Sequence, residues 1–174
     1  DYLGRRDLIH LLIETVALGG NLHLDVSPCA DGTIPMLQQA RLVEMGEWLQ
    51  VNGEAIYGTR RWTVPHEGPM VESVNPRLDI NWKWIETRER PMVFYTRKGD
   101  ALYALCLAWP GKTLKLQCPI PTPHTQVRML GGPKPLDWKP GEKGMILQIP
   151  DPPDREVLCR DAWAFKLTGL KNLE

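Results

Sequence analysis

Apolar residues recur at helical spacing twice in the first third of the chain. Leu8, Ile9, Leu11, Leu12, Ile13 and Val16 fall at i, i+3, i+4 and i+7 intervals, which predicts an amphipathic helix over residues 4–18. Gly19-Gly20 supplies its C-terminal stop. A second run, from Met36-Leu37 through Ala40, Leu42-Val43, Met45 and Trp48-Leu49 to Val51, predicts a helix opened by Pro35 and stopped by Asn52-Gly53. Between them Leu22, Leu24 and Val26 alternate with His23 and Asp25, which is the pattern of a strand. Ser27-Pro28-Cys29-Ala30-Asp31-Gly32 then reads as a turn. A single strand between two helices normally belongs to a parallel sheet with covered faces. No second strand is predicted in the first 60 residues, so this one is expected to find its neighbours in chain upstream of Asp1.

Beyond residue 60 the period changes from helical to alternating. Strands are predicted over 91–97, 102–109, 113–118, 126–130, 144–149 and 162–167. The run 102–109 is nearly all apolar and should be a central strand covered on both faces. Pro110-Gly111-Lys112 is expected to turn it into a hairpin with 113–118. Met145, Leu147 and Ile149, and then Trp163, Phe165 and Leu167, each mark an inward face. Residues 63–90 show no clear period and contain four prolines or glycines, so a long loop is expected there, with Trp82 and Trp84 docked on a core. The fold class is therefore α/β plus all-β, and the second part is a small antiparallel β-sandwich.

Composition sharpens this division. Of the 16 prolines, 14 lie after residue 60, where short strands and turns tolerate them. Lys plus Arg and Asp plus Glu are each 21, a net charge of zero, which argues against nucleic acid as a partner. No run of about 18 apolar residues exists, so no membrane-spanning segment is predicted.

Candidate chemistry is sparse. Cys29, Cys106, Cys118 and Cys159 include no C-x-x-C pair, so no metal site is expected. Their even number leaves a disulfide open, although a short hairpin would set Cys106 opposite residue 115 or 116 rather than 118. Burial as small apolar residues is the plainer reading. His23 and Asp25 share one strand face, either as a surface pair or, in a closed barrel, as residues facing the interior. Glu44 and Glu47 lie one turn apart on a helix and fit a solvated face, and Asp151 and Asp154 sit in a proline-rich turn. Arg60-Arg61-Trp62 fits either an anion or a surface patch with a docked tryptophan. The seven tryptophans fit core anchoring better than sugar stacking. No nucleophile elbow, phosphate loop, dinucleotide fingerprint or H-E-x-x-H occurs, and no carboxylate pair is placed by sequence for catalysis.

Longer strings carry a resemblance. Gly19-Gly20-Asn21-Leu22, Leu24, Pro28 and Asp31-Gly32-Thr33-Ile34 form one set. Trp48-Leu49 with Val51-Asn52-Gly53-Glu54-Ala55-Ile56-Tyr57-Gly58-Thr59 forms a second, and Tyr95-Thr96-Arg97-Lys98-Gly99-Asp100-Ala101-Leu102-Tyr103-Ala104 a third. Together they resemble the C-terminal part of the retaining α-L-fucosidases of the tissue or lysosomal type, glycoside hydrolase family 29. The usual Gly-Pro-Thr of that family is Ser27-Pro28-Cys29 here, and its usual Asn is Asp25.

The resemblance implies the terminal piece of a (β/α)8-type barrel followed by an antiparallel β-sandwich. Residues 1–62 would be the end of the catalytic barrel, 63–91 a long linker and 92–174 the sandwich. A whole barrel takes about 250 residues, so most of it would lie outside these 174. The family's nucleophilic Asp and acid/base Glu sit on earlier strands, so no catalytic residue is assigned, no cofactor or metal is expected, and the chain alone should be inactive. Asp25, Ser27 and Asp31 would lie at the barrel mouth and are the candidate substrate-lining residues. Implied partners are fucosylated glycans and the remainder of the barrel or another subunit, with a homo-oligomer possible. The implied compartment is lysosomal or secreted. The alternative reading is a non-catalytic, fucosidase-derived glycan-binding or assembly protein.

Overall fold

A computed structural model of the chain describes residues 3–72, 89–150, 161–171 and 173. Trp82, Trp84, Asp151, Asp154 and Cys159 lie outside the described residues. Two helices come first, α1 (Arg5–Ala17) and α2 (Met36–Asn52), and a 3-10 turn (Gly53–Ala55) closes the second. The strands are β1 (Arg60–Glu72), β2 (Glu89–Lys98), β3 (Ala101–Cys106), β4 (Thr113–Leu116), β5 (Pro121–Met129), β6 (Trp138–Pro140), β7 (Met145–Gln148) and β8 (Trp163–Leu170). All described pairings are antiparallel. One sheet runs β1-β2-β3-β8-β5 and the other β4-β7-β6.

These elements stack as three layers with two cores. Alternate residues of each strand in the larger sheet point to opposite faces. Val93, Tyr95, Leu102, Ala104, Phe165 and Leu167 face the small sheet and meet its Leu114, Leu116, Met145 and Leu147. Phe94, Tyr103, Leu105 and Ala164 face the helices and meet Ile9, Ile13, Ala17 and Trp48. All six residues of β3 are buried, as its unbroken apolar run requires of a strand covered on both faces. The helical layer is also bolted to the sheet through polar groups. His10 Nε2 bonds the Asp161 carbonyl at 2.8 Å, Arg5 Nε pairs with the Asp161 carboxylate at 2.7 Å, and Trp48 Nε1–H donates to the Ala162 carbonyl at 2.9 Å.

Three expectations change. Residues 22–26 belong to no strand, and no described strand pairs with them to complete a ladder. Their alternation survives only in part: Leu22 and Leu24 are half-buried and His23 and Asp25 face solvent, but Val26, expected on the inward side, is exposed. The hairpin at Pro110-Gly111 does not form. β3 pairs with β2 and β8, β4 pairs with β7, and the chain crosses from one sheet to the other at that turn. Residues 60–72, expected to be mostly loop, form the edge strand β1. Its pairing with β2 slips between Arg61 and His66 and again between Glu67 and Met70. Pro65, Gly68 and Pro69 occupy those irregular stretches, which is where an edge strand accepts residues that break a ladder. The hairpin between β6 and β7 turns on Gly144 at φ +61°, where an added Cβ would lie 2.0 Å from the Leu116 carbonyl oxygen.

Candidate functional site

The three sequence candidates lie on the exposed connection between α1 and α2, and each is bonded to a different neighbour. Asp25 Oδ1 accepts from His23 Nε2 at 2.9 Å, with both side chains about nine-tenths exposed (90% and 88%). The backbone N–H of Ser27 donates to Gln38 Oε1 at 3.0 Å, which ties the loop to α2. Asp31 Oδ1 accepts both from the Thr33 N–H at 3.0 Å and from its hydroxyl at 2.7 Å. Around Asp31 the Cys29 N–H donates to the Thr33 carbonyl at 2.7 Å and the Gly32 N–H to the Cys29 carbonyl at 2.9 Å. Gly32 has φ +84°, a left-handed conformation that this turn assigns to glycine. The structure places Asp25, Ser27 and Asp31 on one loop, and among the described residues no hydrogen bond or ion pair joins them to one another.

The Asp31 carboxyl is held below its ordinary value by the Thr33 backbone N–H and then by the Thr33 hydroxyl. A depressed folded value means that its support of the turn is complete above the ordinary carboxylate range. That support is lost as pH falls through the lowered value. A carboxyl-detected NMR titration should therefore find Asp31 ionising below a model aspartate, and Thr33→Val should move it part of the way back. An Asp31 that titrates with the model compound in both proteins contradicts this turn geometry.

Two polar constellations were not among the sequence candidates. Glu54, on the 3-10 turn after α2, receives Tyr103 O–H at 3.0 Å, Lys166 Nζ at 2.5 Å and Arg128 at 2.8 Å. Burial pushes the Glu54 carboxyl up, but the bonds from Lys166 and Tyr103 and the charges of Lys166 and Arg128 outweigh it, and the net shift is downward. The string Asn52 to Thr59 thereby acts as the joint between helices and sheet, helped by the Thr96 hydroxyl on the Ala55 carbonyl at 2.7 Å. Glu67 on β1 reaches between the two sheets. It receives the Tyr95 hydroxyl, and the N–H groups of Gln117 and Cys118, each at 2.9 Å. Burial and then the bond to Glu67 push the Cys118 thiol up to about 12, so it stands as a thiol and not as a nucleophilic thiolate. Among the described residues no group of three or more His, Cys, Asp or Glu side chains is placed to hold a metal ion.

Comparison with known proteins puts these elements in context. A family model described as Alpha-L-fucosidase matches residues 1–54, and one described as Alpha-L-fucosidase C-terminal domain matches residues 86–168. Tissue alpha-L-fucosidase from Homo sapiens is 36% identical over 173 residues, covering 98% of this chain and 33% of that protein. The Bos taurus enzyme is 38% identical over 174 residues, covering 98% and 32%. An Alpha-L-fucosidase from Branchiostoma floridae is 37% identical over 172 residues, covering 98% and 34%. The chain thus spans about a third of the length of the curated relatives it matches. The crystal structure of Thermotoga maritima alpha-fucosidase superposes with a TM-score of 0.67 at 26% identity, covering 95% of this chain and 35% of that one. A bacterial fucosidase with an iminocyclitol inhibitor superposes with a TM-score of 0.69 at 16% identity, a likeness of fold alone.

Proposed function

Because this chain belongs to the α-L-fucosidase family and matches its C-terminal part, we propose that it serves a retaining α-L-fucosidase that removes terminal α-L-fucose from glycans and glycoproteins. The observation that carries the reading is the tandem match. Residues 1–54 hold α1, α2 and the loop between them, residues 86–168 hold most of the sandwich, and Glu54 joins the two. Retaining glycosidases work with two carboxyl groups about 5 Å apart, one as nucleophile and one as acid and then base. Asp25 and Asp31 do not serve as such a pair. One is committed to His23 and the other to the Thr33 turn, and both face solvent. Hydrolysis is therefore assigned to carboxylates outside this chain, and the chain alone is inactive. Asp25, Ser27 and Asp31 line the mouth of the site that the whole barrel completes.

The apolar flank of the helical layer supports this assignment. Met36 is 86% exposed, Val43 60% and Leu18 46%, and of the 17 residues of α2 only Trp48 and Asn52 are buried. That much apolar surface on the helical layer is expected to meet the remainder of a barrel or another subunit. Residues 1–62 act as the barrel end and 92–174 as the sandwich, while the 63–72 part of the expected connection 63–91 joins the larger sandwich sheet within β1. The names of the relatives, tissue and plasma α-L-fucosidases, favour a lysosomal or secreted setting.

Activity assays test the reading directly. The isolated chain should release no aryl alcohol from an aryl α-L-fucoside. A chimera in which it replaces the matching third of the Homo sapiens tissue enzyme should release it. Turnover by the isolated chain overturns the assignment of the carboxylates. A folded chimera without turnover overturns the fucosidase reading itself.

A further inference from the structure

The outer face of the small sheet carries a charge pattern that the hydrolase reading does not use. Leu114, Leu116, Met145 and Leu147 point into the core, so the residues between them point out. Lys115 on β4 is paired with Ile146 on β7, and Ile146 with Lys139 on β6, which makes a row of three across the sheet. Lys115 and Lys139 are exposed and flank a half-buried Ile146. At two strand spacings they stand about 10 Å apart. Lys143, in the turn between β6 and β7, brings a third ammonium group to the same end of the face. Lys115, Gln117, Lys143 and Ile146 line a shallow cavity of about 400 Å³ floored in part by Gly141. Glu142 is the one acidic residue of that lining. Among the described residues none of the three lysines makes an ion pair, whereas Lys166, Arg5 and Arg128 each do.

The geometry points to this face as a binding surface for a sulfated polysaccharide. The cavity is of the size that holds a sugar unit or two. The half-buried Ile146 offers an apolar floor to the hydrogen-rich face of a sugar ring, and the Gln117 side chain offers a donor and an acceptor to hydroxyls. Lys115 and Lys139 rise from backbone positions two strands apart, and their flexible four-carbon stems let both ammonium groups reach sulfates carried on one extended chain. A nucleic acid duplex fits less well. It places a charge every 1.7 Å or so along its axis, far denser than this row, and a single strand would find no aromatic ring in the cavity on which to stack its bases. The surface goes beyond the fucosidase reading and needs no turnover, so its test stands or falls apart from that one.

Heparin is the probe, measured with the full 174-residue chain by salt elution and by equilibrium titration. The triple variant Lys115→Gln, Lys139→Gln, Lys143→Gln should bind heparin at least 10-fold more weakly at low salt, and its log affinity against log salt should lose about 2 to 3 units of slope. The triple Lys→Arg variant, which keeps the charges and can bind oxyanions with two N–H groups at once, should bind at least as tightly as the parent. Desulfated heparin should bind neither variant nor parent measurably. The proposal is overturned if the Gln variant keeps its far-UV and near-UV spectra and still binds like the parent. It is equally overturned if desulfated heparin binds as well as heparin, or if a single-stranded oligonucleotide of equal charge displaces heparin at equal concentration.

Discussion

Replacing Trp48 with alanine should lower the unfolding free energy of the chain by about 3–5 kcal/mol, the range for truncating a large buried aromatic residue. Trp48 is only 3% exposed and stands in the core between helices and sheet with Ile9, Ile13, Phe94 and Leu105. Its indole N–H is bonded to the carbonyl of Ala162, the residue just before β8 and 114 residues away in sequence. Truncation would remove apolar contact from that core and orphan a buried carbonyl together. Trp48→Phe separates the two effects. It keeps most of the packing and loses the bond, which by itself should cost about 1–2 kcal/mol. Urea denaturation followed by circular dichroism reads both numbers. A loss below about 1 kcal/mol for the alanine variant would mean that the helical layer is not bound to the sandwich as described. The total stability of a domain is typically about 5–15 kcal/mol, so the expected loss is a large share of it. The same bond explains how a helix with so few buried residues is held in place. α2 is anchored near its C-terminal end, by Trp48 and by the Glu54 joint, and its N-terminal half is left facing outward.

Local period was legible in the sequence, and partnership was not. Both helices followed from i, i+3, i+4 spacing, and the doubly covered β3 followed from an unbroken apolar run, because each is a property of one segment. Which sheet a strand joins is a property of two. Leu114 and Leu116 face the same core whether β4 pairs with β3 or with β7, so alternation could not exclude the hairpin that does not form. β1 was hidden because Pro65, Gly68 and Pro69 interrupt its alternation, and only the edge position with its two register slips makes them tolerable. The segment 22–26 shows the converse, a strand pattern with no described ladder to join. Among the candidate site residues, Asp31 was legible as a turn residue from Asp31-Gly32-Thr33. Glu54 was not singled out as a site, since its partners Tyr103, Arg128 and Lys166 lie 49, 74 and 112 residues away.

Glu67 is the sharpest case of that kind, and its removal should cost about 3 kcal/mol. It lies between the two segments that match family models, 1–54 and 86–168, on a strand that local pattern did not reveal. Its carboxylate is the acceptor for Tyr95 O–H, Gln117 N–H and Cys118 N–H. The Tyr95 side chain is fully buried beside Trp62, their rings edge to face at 5.1 Å, so its hydroxyl has no access to water as an alternative partner. In Glu67→Ala that hydroxyl is orphaned at a cost of about 1–3 kcal/mol, and the half-buried Cys118 N–H adds about 1 kcal/mol more. Gln117 is exposed and can turn to solvent, so it adds little. A double-mutant cycle with Tyr95→Phe isolates the dominant contribution. Once the hydroxyl is gone, Glu67→Ala should cost about 1–2 kcal/mol less than it does in the parent, because no buried O–H is left unpaired. Equal costs in both backgrounds would show that the Tyr95 bond contributes nothing and that Glu67 acts through the Gln117 and Cys118 N–H groups alone. Glu67→Gln should fall between parent and alanine variant. With its amide oxygen in the Oε1 place it still accepts from Tyr95 O–H and Gln117 N–H, but its NH2 group then meets the Cys118 N–H that the other carboxylate oxygen served, and the two donors repel.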